Sequence, residues 1–222
     1  PGRNYEQIRT TIALNRMPVK LCGMHAGVSV GQDGATHQML EDIGMMRMLP
    51  GMTVIAPADA EEARKAVIAA AVTDGPVYIR FGRAATPIFT TGETPFSIGK
   101  ALTLWESENP AITLLATGPM SHTALLAAKA LNGEGIGSIV RHVPTVKPLD
   151  EEAVVDAAKR TGRVVTLEEH QAAGGFGSAV AELLGARHPV PISRLGVADA
   201  FGQSGSPGEL LAHYGLDALH IQ

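Results

Sequence analysis

Between Val19 and Arg47 the chain passes from a short apolar run, through a glycine-rich polar loop, into a helical pattern. Val19-Lys20-Leu21-Cys22 reads as a strand. His25 to Arg47, HAGVSVGQDGATHQMLEDIGMMR, then holds two histidines, an aspartate and the glycines Gly27, Gly31, Gly34 and Gly44. After Thr36, Met39, Leu40, Ile43 and Met46 fall at i, i+1, i+4 and i+7, which predicts a helix with His37 at its start. Glycines between a strand and a helix let the backbone turn tightly and approach a ligand. Strand, tight loop and helix in that order belong to an open α/β sheet, whose strand-to-helix loops are the usual ligand-facing side. His25, Asp33 and His37 fall on that loop.

The following residues repeat the alternation. Met52–Ala56 is a predicted strand, and Asp59-Ala60-Glu61-Glu62 is an acidic helix start. Ala63, Ala66, Val67 and Ala70 supply that helix with a buried stripe. Gly75-Pro76 ends it, and Val77–Arg80 is a further strand. This β-α-β-α-β order implies parallel strands. Pro87, Thr90, Thr91, Gly92 and Pro95 mark a linker. A second α/β set follows. Its predicted strands are Ala111–Ala116, Ile136–Val143, Arg163–Leu167 and Pro191–Leu195. Its predicted helices run from Ser121 as cap to Leu131, from Asp150 as cap to Lys159, from Gly174-Gly175 through Leu184, and from Pro207 to Tyr214.

A net charge of −4 without a block of Lys and Arg argues against a nucleic-acid surface. No run approaches the roughly 18 apolar residues of a membrane span. The single cysteine, Cys22, lies in a strand predicted to be buried, and its lack of an internal partner suits a reducing cytoplasm. The chain opens at Pro1-Gly2, and Tyr5–Ala13 already resembles the middle of a helix. A helix with no strand before it is a poor start for an α/β domain, so the expectation is a fragment lacking its front.

Several residues carry chemical possibilities beside plainer ones. Loop polarity alone accounts for His25, Asp33 and His37 as well as a catalytic role does, and their spacing is a poor match for zinc. At a helix start, His37 would be held neutral by the dipole and so able to hydrogen-bond hydroxyl or carbonyl oxygens. Arg80, with Arg83 close behind, ends a strand where a guanidinium can grip phosphate, or simply form a salt bridge. Gly174-Gly175-Phe176-Gly177 before a helix resembles an anion cradle, though tight helix–sheet packing explains it equally. Glu168-Glu169-His170 reads as a loop or an interface.

The string His25-Ala-Gly-x-x-x-Gly-x-Asp33-Gly-x-Thr-His37-Gln38, followed by Glu41-Asp42 and Met46-Arg47-x-x-Pro50, resembles the transketolase signature. Tyr5–Arg9, Pro57-Ala58-Asp59, Gly75–Arg80, Thr145–Asp150, Glu168-Glu169-His170, Gly174–Gly177 and Phe201-Gly202-x-Ser204-Gly205 extend the likeness over nearly the whole chain. It is similar above all to the separately encoded C-terminal sections of split bacterial transketolases. The resemblance implies a thiamine-diphosphate-enzyme fold of two three-layer α/β domains with mostly parallel sheets, the first truncated at its N-terminus. On this reading, 1–85 is a partial pyrimidine-binding domain, 86–98 a linker and 99–222 the C-terminal domain.

The implied reaction moves a two-carbon ketol unit between sugar phosphates on thiamine diphosphate with Mg2+. His37 would hydrogen-bond the reacting hydroxyl and carbonyl of the donor, and Asp33 would read a sugar hydroxyl. His25 and Arg80 would hold the phosphate. The residues that bind the cofactor would lie before Tyr5 or on a partner, the N-terminal section with its diphosphate-binding domain, which would also hold the metal. The chain alone would be inactive, and a homo-oligomer is expected. Deoxyxylulose phosphate synthases share the Gly-x-Asp-Gly-x-Thr-His core, and a non-catalytic assembly subunit is a further alternative.

Overall fold

Parallel pairing in the first half follows from its order of elements. In the computed structural model, which describes residues 1–222, the chain opens with a 3-10 turn at Gly2–Asn4. Helix α1 (Tyr5–Gln7) and a π-helical stretch (Ile8–Ala13) follow. Ile8 and Ala13 are the buried positions of this segment, packed in one core with Met46, Leu49 and Met52. Strand β1 (Lys20–Gly23), helix α2 (Asp42–Arg47), strand β2 (Thr53–Ile55), helix α3 (Ala60–Ala71) and strand β3 (Val77–Arg80) come next. The parallel order β1-β3-β2 places the ends of β1 and β3 side by side.

The second sheet contains β4 (Leu102–Glu106), β5 (Ile112–Ala116), β6 (Ser138–His142), β8 (Val164–Gln171) and β9 (Ile192–Val197), in the order β4-β6-β5-β8-β9. All its pairs are parallel except β4 with β6. Helices α4 (Met120–Gly133), α5 (Glu151–Thr161), α6 (Phe176–Arg187), α7 (Pro207–His213) and α8 (Ala218–Ile221) complete this half. Strand β7 (Thr145–Lys147) leaves its neighbours and pairs antiparallel with β2, adding a fourth strand to the first sheet. The two mostly parallel sheets agree with the expected fold class.

Several local expectations need correction. The helix expected after Thr36 forms only at Asp42. Residues 35–37 are a turn closed by a bond from His37 N to Gly34 O, and Met39 is drawn into a bridge with Ala26. His37 therefore does not stand at the start of a helix. Cys22 is exposed, because β1 is the outer strand of its sheet. Val67 faces solvent, because α3 turns Glu62, Ala66 and Ala70 inward instead. Ser121 does not cap α4; it lies within the helix and its hydroxyl meets Nδ1 of His142 at 2.6 Å.

Asp59 caps α3 as expected, accepting from Glu62 N. Burial pushes its carboxyl up, but bonds from Glu62 N and from the amides and hydroxyl of Phe89 and Thr90 outweigh that, leaving its pKa low. The side chain of Glu62 accepts from Ala58 N at 2.6 Å and from Nε2 of His142 at 2.7 Å, which ties the two sheets together.

Candidate functional site

The loop from Met24 to Glu41 rises from the C-terminal end of β1 beside that of β3, where Gly23 is in register with Arg80. Any side chain at Gly23 would collide with Tyr78, whose Oη lies 1.9 Å from the position a Cβ would take. Tyr78 Oη donates to Asp42 Oδ2 at 2.8 Å, and Arg80 Nε lies 2.9 Å from the same oxygen. These three buried side chains fasten the first turn of α2 to β3. Burial and the adjacent carboxylate of Asp42 drive the Tyr78 hydroxyl far above its ordinary pKa, so it remains a donor.

Main-chain bonds then pinch the neck of the loop. Phe81 N donates to Gly23 O, Ala26 N to Phe81 O, and Gly27 N to Met39 O at 2.9 Å. The parallel bridge Ala26–Met39 brings the two arms together, with His25 one residue and His37 two residues before the paired positions. Both histidines are exposed. His25 adopts φ +58°, a left-handed backbone that non-glycine residues rarely take. His37 Nδ1 lies 2.9 Å from the hydroxyl of Thr36. Asp33, also exposed, is drawn towards the end of β3 by Arg83, whose Nη1 donates to its Oδ2.

Arg80 sits deeper than a surface phosphate ligand would. It is 7% exposed, with Nε on Asp42 and Nη2 donating to Glu169 O at 2.7 Å. Burial opposes its charge, but Asp42 and Glu169 outweigh that and raise its pKa. Nη1 makes no hydrogen bond and is not sealed from solvent. Arg80 lines a cleft of about 330 Å³ with Asp59, Phe81 and Ala84. His25, Asp33 and His37 do not line that cleft, and all three are exposed. Of these four residues Arg80 alone is committed to a buried ion pair, whereas Asp33 meets Arg83 in an exposed one.

The glycine run before α6 is occupied from within. Glu168 accepts from Phe176 N at 2.6 Å and Gly177 N at 2.7 Å, filling the anion cradle with the chain's own carboxylate. Burial pushes the Glu168 carboxyl up to about 7, against the pull of those two amides. Glu168, Glu169 and His170 are buried in the last part of β8 and do not form a solvated loop. His170 donates from Nδ1 to Gln171 O at 2.8 Å and accepts at Nε2 from Gly44 N at 3.2 Å. That pattern fits a neutral ring, and burial and Arg80 hold its pKa down.

Gln38, Asp42 and Glu169 were not singled out by spacing, yet all three support the loop. Gln38 Nε2 donates to Val28 O at 3.0 Å and to Gln203 O at 2.9 Å, pinning the loop to the segment before α7. Gly202 packs so closely on the Gln38 amide that a Cβ there would lie 1.7 Å from Oε1. The only sequence signal was their inclusion in strings shared with a known family.

Comparison with known proteins assigns residues 2–88 to the pyrimidine binding domain of transketolase and residues 99–221 to the transketolase C-terminal domain. A 6-deoxy-6-sulfo-D-fructose transketolase subunit of Clostridium sp. (strain MSTE9) is 44% identical over 97% of this chain and 66% of its own length. A putative transketolase C-terminal section of Methanocaldococcus jannaschii is 41% identical over 99% of this chain and 69% of its own. Among solved structures, a split-gene transketolase described as an inactive beta4 tetramer superposes with a TM-score of 0.91 at 43% identity. It matches 99% of this chain, which spans 70% of that one.

Proposed function

The chain belongs to the transketolase family, and from that premise we propose that it is the substrate-facing C-terminal section of a split transketolase. The reaction is transfer of a two-carbon ketol unit from a ketose phosphate to an aldose phosphate. Membership implies thiamine diphosphate, which supplies the carbanion-stabilising chemistry when bound. Its metal–diphosphate end does not fit the residues of this chain, where no three His, Cys, Asp or Glu side chains converge as ligands. We assign that end, with Mg2+, to an N-terminal partner section.

On this chain His37 hydrogen-bonds the reacting hydroxyl and carbonyl of the donor. Asp33, with Oδ2 on Arg83, reads a sugar hydroxyl through Oδ1. His25 and the open Nη1 of Arg80 supply donors to the phosphate. The observation that carries this reading is the Ala26–Met39 bridge. With the bond from Ala26 N to Phe81 O, it draws the two arms bearing the exposed His25 and His37 together beside the end of β3, where Arg80 sits. Their exposure fits a half-site walled by a second protein, and so does an inactive assembly of the related split-gene chain alone. No helix is long and apolar enough to cross a membrane; a cytoplasmic, homo-oligomeric assembly is part of the same proposal.

The test mixes this chain with thiamine diphosphate, magnesium and phosphorylated sugars, with and without the N-terminal section. Ketol transfer only in the complete mixture is expected. Transfer by this chain alone would overturn the division of labour, and none in the complete mixture would overturn the reaction.

A further inference from the structure

We propose that Glu169, from the second sheet, is a positioning residue that holds the 25–29 turn and Arg80 in register for the phosphorylated end of the substrate. The inference rests on the reading of the loop given above. Glu169 is 5% exposed and belongs to β8, far in sequence from the loop it touches. Its Oε1 accepts from Ser29 N, and its main-chain oxygen accepts from Arg80 Nη2 at 2.7 Å. One residue therefore grips both partners assigned to the phosphate: the turn that follows His25, and the guanidinium beneath it.

The fit around that carboxylate is close. Gly27 has φ +87°, and a Cβ there would lie 2.3 Å from Glu169 Oε1, so the turn is shaped to let the carboxylate in. The left-handed His25 lies two residues before Gly27, on the arm that leads into the turn Glu169 secures. The same turn is also held by main-chain bonds from Ala26 N to Phe81 O and from Gly27 N to Met39 O. Gln38 holds its middle through Val28 O and Gln203 O, and Asp42 holds Arg80 at Nε. Removing the Glu169 side chain should free the Ser29 amide and loosen His25, leaving the sheet and the Tyr78–Asp42–Arg80 cluster in place.

The experiment uses the complete assembly of this chain with the N-terminal section, thiamine diphosphate and magnesium. Steady-state kinetics are measured with a ketose phosphate and with the same ketose lacking its phosphate. E169A should raise KM for the phosphorylated donor about tenfold, change kcat by less than about threefold, and affect the unphosphorylated donor less. E169Q retains an oxygen that can accept from Ser29 N and should restore KM to within about threefold. E169D, shorter by one methylene, should fall between them and serves if E169A does not fold. Amide hydrogen exchange at Ser29 should quicken in E169A and not in E169Q. Wild-type KM and wild-type Ser29 exchange in both E169A and E169D would overturn the inference. An inactive wild-type assembly would instead overturn the reaction proposed above.

Discussion

Arg80 and Asp42 form a buried ion pair, Nε to Oδ2 at 2.9 Å, at the root of the loop that carries His25 and His37. A guanidinium so placed serves the fold before it serves any ligand. Asp42→Ala would leave Arg80 charged, buried and unpaired, and would remove the acceptor of Tyr78 Oη. Loss of about 3–5 kcal/mol of unfolding free energy is expected. Denaturant titration of the variant checks it, and a loss below about 1 kcal/mol would show that the pair is not what holds α2 to β3.

Arg80→Ala should differ in character. It strands Asp42, so stability falls, and it also removes Nη1, so apparent KM for a phosphorylated sugar rises in the assembled enzyme. Kinetics measured well below the melting temperature separate the two effects. An unchanged KM would return Arg80 to a purely structural role.

His37→Ala leaves the core untouched, because the side chain is exposed. Its expected effect is on turnover, by a factor on the order of 100 or more, through lost hydrogen bonds to the reacting oxygens. Melting temperature should be unchanged. Identical kinetic profiles for this variant and Arg80→Ala would break the assignment of separate roles.

The bond between Glu62 and His142 joins a helix on the first sheet to a strand of the second, and both side chains are buried. His142→Leu would leave the buried Glu62 carboxylate with only its bond from Ala58 N and would strand the Ser121 hydroxyl. A cost of about 3 kcal/mol or more is expected. A single unfolding transition at a lower denaturant midpoint would support the link; a midpoint equal to wild type would refute it.

Glu168 predicts a pH effect. Its carboxyl is raised from 4.5 unfolded to about 7 folded, so the folded state binds the extra proton between those values. Its contribution to stability is full below pH 4.5 and is lost as pH rises through about 7. Glu168→Gln should flatten that part of the stability–pH curve. A curve of wild-type slope in the variant would place the proton elsewhere.

The sequence made much of the fold legible because its strands are compact apolar runs punctuated by Gly and Pro. Val77–Arg80 and Ile112–Ala116 are examples. Cooperative features were not legible. β7 is three residues between two prolines, and nothing local reveals that its partner is β2. β4 is an outer strand with exposed alternate residues, a weak apolar signal. The helical spacing after Thr36 was real in pattern, but bonds from Gly27 to Met39 and from Gln38 to Val28 and Gln203 claim those residues first. Glu168-Glu169-His170 reads as a loop or an interface because three polar residues in a row are usually at a surface. Their amide, guanidinium and loop partners come from distant segments. At the site, the loop residues could be singled out from spacing, whereas the engagement of Arg80 depended on Asp42 and Glu169.

Thr145–Lys147 belongs to the second half by sequence and to the first by hydrogen bonding. Cutting the chain between the halves would strip β2 of its outer neighbour and expose a raw β edge prone to pairing with other molecules. Neither piece is then a sound candidate for separate expression or for swapping between relatives. Chimaeras that respect the architecture must carry 145–147 along with 20–80, as a single inherited block.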